Sequence, residues 1–265
     1  MHLYIDTLAY TNRLRYLPPA HKLLFAIIPL FIAFFSHAPV QLAVIIWMTI
    51  WTIGYARIPL GVYLKMIAGA GVFLLMSLPA LMLNMTSVSE MPAILSDRWI
   101  GIEWGDWYFY ISHTGTQQAL GILLRSLAGV CCLFFILLTI PFVEILQVLR
   151  RLGCPTLLTE LLLLMYRFIF VLLQTAGELW IAQQARNGHR SWSITMRSLT
   201  LLIGQLLQRT LERYRQYSFT LASRGFTGDF QVWHPQRTRP SRRYTLEASL
   251  GCIALLGLEM LTSYR

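Results

Sequence analysis

Two arginines stand where this sequence could do chemistry. One apolar-periodic run closes on AQQARNGH, residues 182–189, and a later one on YSFTLASRGF, residues 217–226. In the first, Ala185 and Arg186 are followed after one residue by Gly188; in the second, Ser223 and Arg224 are followed at once by Gly225. An arginine in a last helical turn suits the helix dipole, and glycine just beyond it relieves the left-handed turn that ends a helix. Capping alone accounts for either ending taken singly. A guanidinium at an exposed helix tip does more, because its planar fork can enter a groove and pair with a carboxylate through two hydrogen bonds. The repetition within one basic segment favours that second use.

No other set of residues composes a reacting site. A phosphate-binding loop needs Gly-Lys-Ser/Thr, but Lys22 precedes Leu23 and Lys65 precedes Met66, and these are the only lysines. His2, His21, His37, His113, His189 and His234 include no pair at the spacing of a helical metal site. Glu160, Glu178 and Glu212 are far apart and read as solvated or ion-paired on helix faces. Cys131, Cys132, Cys154 and Cys252 form no C-x-x-C pair and read as small apolar fillers. The expectation is a chain with no catalytic residue, no metal site and no cofactor of its own.

The elements that position the arginines follow from composition. The chain of 265 residues is 56% hydrophobic and 13% charged, with mean hydropathy +0.55; soluble domains are about 25% charged. Apolar runs at 22–38, 41–56, 62–83 and 118–140, with a weaker one at 246–261, read as spans, Pro29 kinking the first. The net charge of +10 flanks these runs, which fits the positive-inside rule better than nucleic-acid binding. Residues 84–117 carry Glu90, Asp97, Glu103 and Asp106 against Arg98, together with Trp99, Trp104, Trp107, Tyr108 and Tyr110, and are expected outside. The N-terminus is then cytosolic, and the first twenty residues do not read as a cleavable signal peptide.

The Arg-rich stretch that follows is expected to be helical and cytosolic. Residues 141–153 are amphipathic, with Phe142, Ile145, Leu146, Leu149 and Leu152 on one face and Glu144, Gln147, Arg150 and Arg151 on the other. Long helices should occupy 155–186 and, capped by Ser191 or Ser193, a run to about 224 with Leu202, Ile203, Leu206, Leu207 and Leu211 at helical spacing. The apolar stretch 157–173 is not read as a span. Crossing there would separate Arg150 and Arg151 from Arg186 and Arg190, and would bury Glu160 and Arg167 at about 3 kcal/mol each. The expected plan is an all-α polytopic membrane protein with about five transmembrane helices plus a helical cytosolic coupling module: 1–21 a cytosolic segment, 22–140 four spans, 141–245 coupling helices and 246–265 the last span. Arg125, inside the fourth span, is a functional candidate by position. AGAG at 68–71 and Gly121, Ala128 and Gly129 are small enough for close helix approach, either internal or to a partner.

Three ordered landmarks resemble a known family. IDTLAYTNRLRYLPPAHKL at 5–23, IPFVEILQVLRRLGCP at 140–155 and the paired Arg-Gly endings look like the transmembrane T component of energy-coupling factor transporters, in its cobalt-transport branch. The resemblance implies a scaffold gripping two ABC-type ATPase subunits and holding a substrate-binding S component in the cell membrane, possibly with a small accessory membrane subunit. ATP would be used by the ATPases, and cobalt or nickel would be the cargo. Ala185, Arg186 and Gly188 match the family's first coupling motif and Ser223, Arg224 and Gly225 the second. Asn187 is inserted in the first, and Ser223 replaces an alanine in the second. The helix bearing Glu144, Leu149, Arg150 and Arg151 would lie against the ATPases. Two other classes remain open from residues alone: a membrane-embedded enzyme acting on a phosphorylated or lipid substrate, and a stand-alone permease.

Overall fold

The computed structural model describes residues 2–87, 98–104, 107–185, 191–225 and 242–263. Among these the chain is overwhelmingly helical: α1 (His2–Thr11), a short 3-10 turn (Arg13–Tyr16), α2 (Pro19–Phe35), α3 (Ala38–Ile50) continued by a π-turn (Trp51–Tyr55), α4 (Leu60–Met82), α5 (His113–Thr139), α6 (Phe142–Arg151), α7 (Thr156–Ala185), α8 (Trp192–Ser223) and α9 (Arg242–Ser263). The all-α membrane plan holds. Among the described residues, five helices are long and apolar enough to cross a bilayer: Ala38–Tyr55, Leu60–Met82, Thr114–Thr139, Thr156–Ala185 and Arg242–Thr262. They are not the five expected. α2 stops at 17 residues, because Ser36 is extended and Pro39 opens the next helix, so its length of about 26 Å falls just short of a 30 Å hydrocarbon core. α7, with 30 residues, meets the length and apolarity of a span.

Between α4 and α5 the chain forms a small antiparallel sheet rather than a plain loop. β1 (Leu83–Ser87) and β2 (Arg98–Trp104) both pair with β3 (Trp107–Ser112), giving the order β1-β3-β2 with Leu83 opposite Ile111 and Trp104 opposite Trp107. α5 then starts five residues before the expected 118, because Ser112 Oγ accepts from the Gly115 N–H at 3.0 Å and caps it.

The chain divides into two compact units, residues 1–145 with 236–265, and residues 146–235. In the first, α5 is the hub, packed against α1, α2, α3 and α4. It can be central because Ala128, Cys131, Cys132, Phe135 and Leu138 are all buried, mostly small side chains that admit neighbouring backbones. Phe25, Met48, Trp51 and Tyr63 complete that core. α9 lies against α2 and α3, and Gly251 sits so close to the Trp47 indole that an added Cβ would overlap it. In the second unit α8 folds back on α7, with Phe168 and Tyr217 edge-to-face at 5.7 Å and the Arg167 guanidinium 5.4 Å from the Tyr217 ring. Arg167, troublesome in lipid, thus has an aromatic partner. The apolar set on α8 splits. Leu202 and Leu206 are half-buried, whereas Ile203, Leu207 and Leu211 are exposed.

Candidate functional site

α8 has 32 residues and no proline, so it is a rod of about 48 Å. It ends because Gly225 turns left-handed, with φ +67. The Arg224 and Gly225 N–H groups donate to the Leu221 and Ala222 carbonyls at 3.1 Å each, closing the last turn. Ser223 Oγ donates back to the Thr220 carbonyl at 2.9 Å, so the small residue before the arginine folds onto its own helix. Arg224 is exposed and joins none of the ion pairs among the described residues. Capping and presentation are therefore one geometry: the glycine ends the helix and leaves Arg224 exposed at its tip. On the other rod Ala185 is the exposed last residue of α7. Arg186, Asn187 and Gly188 lie outside the described residues, so the structure places one of the two arginine tips.

The amphipathic helix α6 departs from its expected faces. Leu149 is half-buried and Arg150 and Arg151 are exposed, as the pattern requires. Leu152 is 77% exposed, and Val148 is buried in its place. Gly153 stops the helix at φ +94, its N–H donating to the Arg150 carbonyl at 3.2 Å. Glu144, assigned to the polar face with Arg150, is not solvated. Its carboxylate lies 3.5 Å from Lys22 Nζ, with the two side chains 13% and 3% exposed.

That ion pair belongs to a polar knot which sequence reasoning missed. The last carbonyls of any helix lack partners, and Pro141 has no N–H to offer those of α5. Lys22 Nζ donates to the Thr139 carbonyl at 3.1 Å. Asn12 Nδ2 donates to the same oxygen at 3.2 Å, to Leu138 O at 3.4 Å and to Ala9 O at 2.7 Å. Lysine at a helix C-terminus also meets the negative end of the dipole. The N-terminal stretch thus ties off α5 and fixes the first turn of α6 through Glu144. The available signal was that Lys22, one of two lysines, and Asn12 both lie in the stretch 5–23 singled out above.

Arg125 is exposed on the side of α5 and joins no ion pair among the described residues. Of the small residues on that helix, Ala128 is buried and Gly129 faces Leu30, so these serve internal packing. Among the described residues, nothing outside α4 comes within 4 Å of a Cβ built on either glycine of AGAG.

The cobalt transport protein CbiQ family profile matches residues 11–233, from the polar knot past the α8 tip. This chain belongs to the CbiQ cobalt transport protein family. A CbiQ cobalt transport protein of Salmonella typhimurium is 30% identical over 231 residues, covering 86% of this chain and 99% of that one. An uncharacterized protein of Methanocaldococcus jannaschii is 28% identical over 98% of this chain and 94% of its own. A putative fused cobalt transport protein CbiMQ of Methanocorpusculum labreanum is 33% identical over 47% of this chain and 21% of its own. The match to the CbiQ family includes Asn12, Lys22, Glu144 and Arg224. Family and helices together make this a multi-pass membrane transport protein.

Proposed function

We propose that this CbiQ-family chain is the T subunit of an energy-coupling factor importer for cobalt or nickel ions. It links two ABC-type ATPases to a substrate-binding component in the cell membrane, with its N-terminus cytosolic. The observation that carries this reading is Arg224, exposed on the tip of a 32-residue helix and in no ion pair among the described residues, in a chain without a phosphate-binding loop. A transport protein without a phosphate-binding loop of its own can receive work from a separate ATPase, and a rigid rod with a charged end is suited to receive it. Arg186 is assigned the same role on α7. α6 carries Arg150 and Arg151 exposed toward the same partners and begins at the Lys22–Glu144 pair, so a push on its basic face meets a buried anchor. The fused relative supports a membrane partner that works beside this chain. α7 is assigned a course along or beneath the bilayer, with both arginine tips in the cytosol.

Reconstitution tests the assignment. This chain with its membrane partner alone should show no ATP-dependent uptake of cobalt into vesicles and no ATP hydrolysis. Adding two ABC-type ATPases should produce both. ATP-driven uptake without added ATPases overturns the proposal.

A further inference from the structure

α2 and α9 run side by side, and between them lies a groove of about 860 Å³. Its walls are Leu24, Phe25 and Ile28 on α2 and Leu246, Ile253 and Leu256 on α9. Leu24, Leu246 and Ile253 are 61%, 62% and 65% exposed, so the groove opens sideways toward whatever surrounds the helices. One end is different. His21 and Arg242 line it together with Thr245, whose hydroxyl donates to the Arg242 carbonyl at 3.1 Å. The two neighbouring cations are already engaged, Arg243 with Glu247 at 2.9 Å and Lys22 with Glu144 at 3.5 Å. Arg242 and His21 join no ion pair among the described residues. The opposite end of the helix pair is closed by His37 and Glu259 at 3.0 Å.

We propose that this groove binds an anionic phospholipid, with its phosphate on Arg242 and His21 and one acyl chain along the apolar walls. Two observations and one property of the bilayer select this occupant. From Arg242 to Leu256 is fourteen residues of helix, about 21 Å, which is a headgroup layer plus one leaflet of a 30 Å core. The charged end lies at the N-terminal end of α2, close in sequence to Arg13, Arg15 and Lys22, and basic residues collect on the cytoplasmic side. That leaflet carries the anionic lipids, and basic pockets between membrane helices on that side hold such headgroups. A helix from a partner subunit would fill the apolar walls equally well but would leave Arg242 without an anion. The inference depends on the membrane placement and not on the coupling role.

The test is native mass spectrometry of the full-length chain released from membranes containing equal phosphatidylglycerol and phosphatidylcholine. The wild type should retain phosphatidylglycerol, and Arg242→Ala should lower that retention about fivefold, since one cation near an anionic surface is worth about that factor. His21→Ala should lower it further and Arg242→Lys should restore most of it. Ser249→Trp, which fills the groove, should expel both lipids, with an unchanged gel-filtration profile showing that the chain is folded. A photo-crosslinker at Ile253 in intact membranes should yield a phospholipid adduct. Equal retention of the two lipids by the wild type, retention unaffected by Arg242→Ala, or a polypeptide adduct at Ile253 each overturns the proposal.

Discussion

The Thr139 carbonyl accepts hydrogen bonds from side chains 127 and 117 residues upstream, Asn12 and Lys22. Two buried charges gain little net stability over apolar replacements, but removing one of them leaves the other stranded, at about 3–5 kcal/mol. Lys22→Ala should therefore lower the detergent-phase unfolding temperature sharply, and Lys22→Met with Glu144→Leu should recover most of the loss; equal damage from both variants would contradict the pair's role. Gly225→Ala forces an L side chain to φ +67 at a cost of about 1 kcal/mol, so it should fray the last turn of α8 with little change in global unfolding. Hydrogen–deuterium exchange confined to 220–225 would show this. Residues differed in how far the sequence exposed them. Arg224 and Gly225 were legible because capping is local chemistry. The Lys22–Glu144 pair was not, since no periodicity links residues 122 positions apart, and Glu144 shares the helical spacing of a solvated face.

Element boundaries followed local rules, while element partners did not. α4, α5 and the end of α8 were readable from apolar length and glycine stops. The sheet at 83–112 was missed because its aromatics fit a membrane interface equally well, although WIGIEW and WYFYIS around Gly105-Asp106 carry the β-branched and aromatic signature of a hairpin. The close approach of α9 to α3 gives no sequence signal beyond one glycine. Gly251→Leu should clash with Trp47 and loosen α9, seen as faster proteolysis near 242–263, and Trp47→Ala in the same chain should relieve it. Persistence of the defect in the double variant would place its cause elsewhere.

For the whole molecule, the proposed coupling role requires α7 and α8 to lie outside the lipid. If α7 does not cross the bilayer, cysteines replacing Arg151 and Arg197, one before it and one after it, should resist an impermeant maleimide in intact cells and react together once the membrane is opened. Labelling of only one in intact cells would make α7 a span. The polar knot anchors the first turn of α6 through Glu144, and the exposed Arg224 is the proposed contact for a partner. The most direct measurement is the affinity of the purified ATPase pair for this chain in nanodiscs, wild type against Arg186→Glu/Arg224→Glu. Loss of paired charges at an interface costs about 2 kcal/mol or more, so binding should weaken by about 30-fold or more at an unchanged unfolding temperature. Affinity within a factor of two of the wild type would contradict the coupling role.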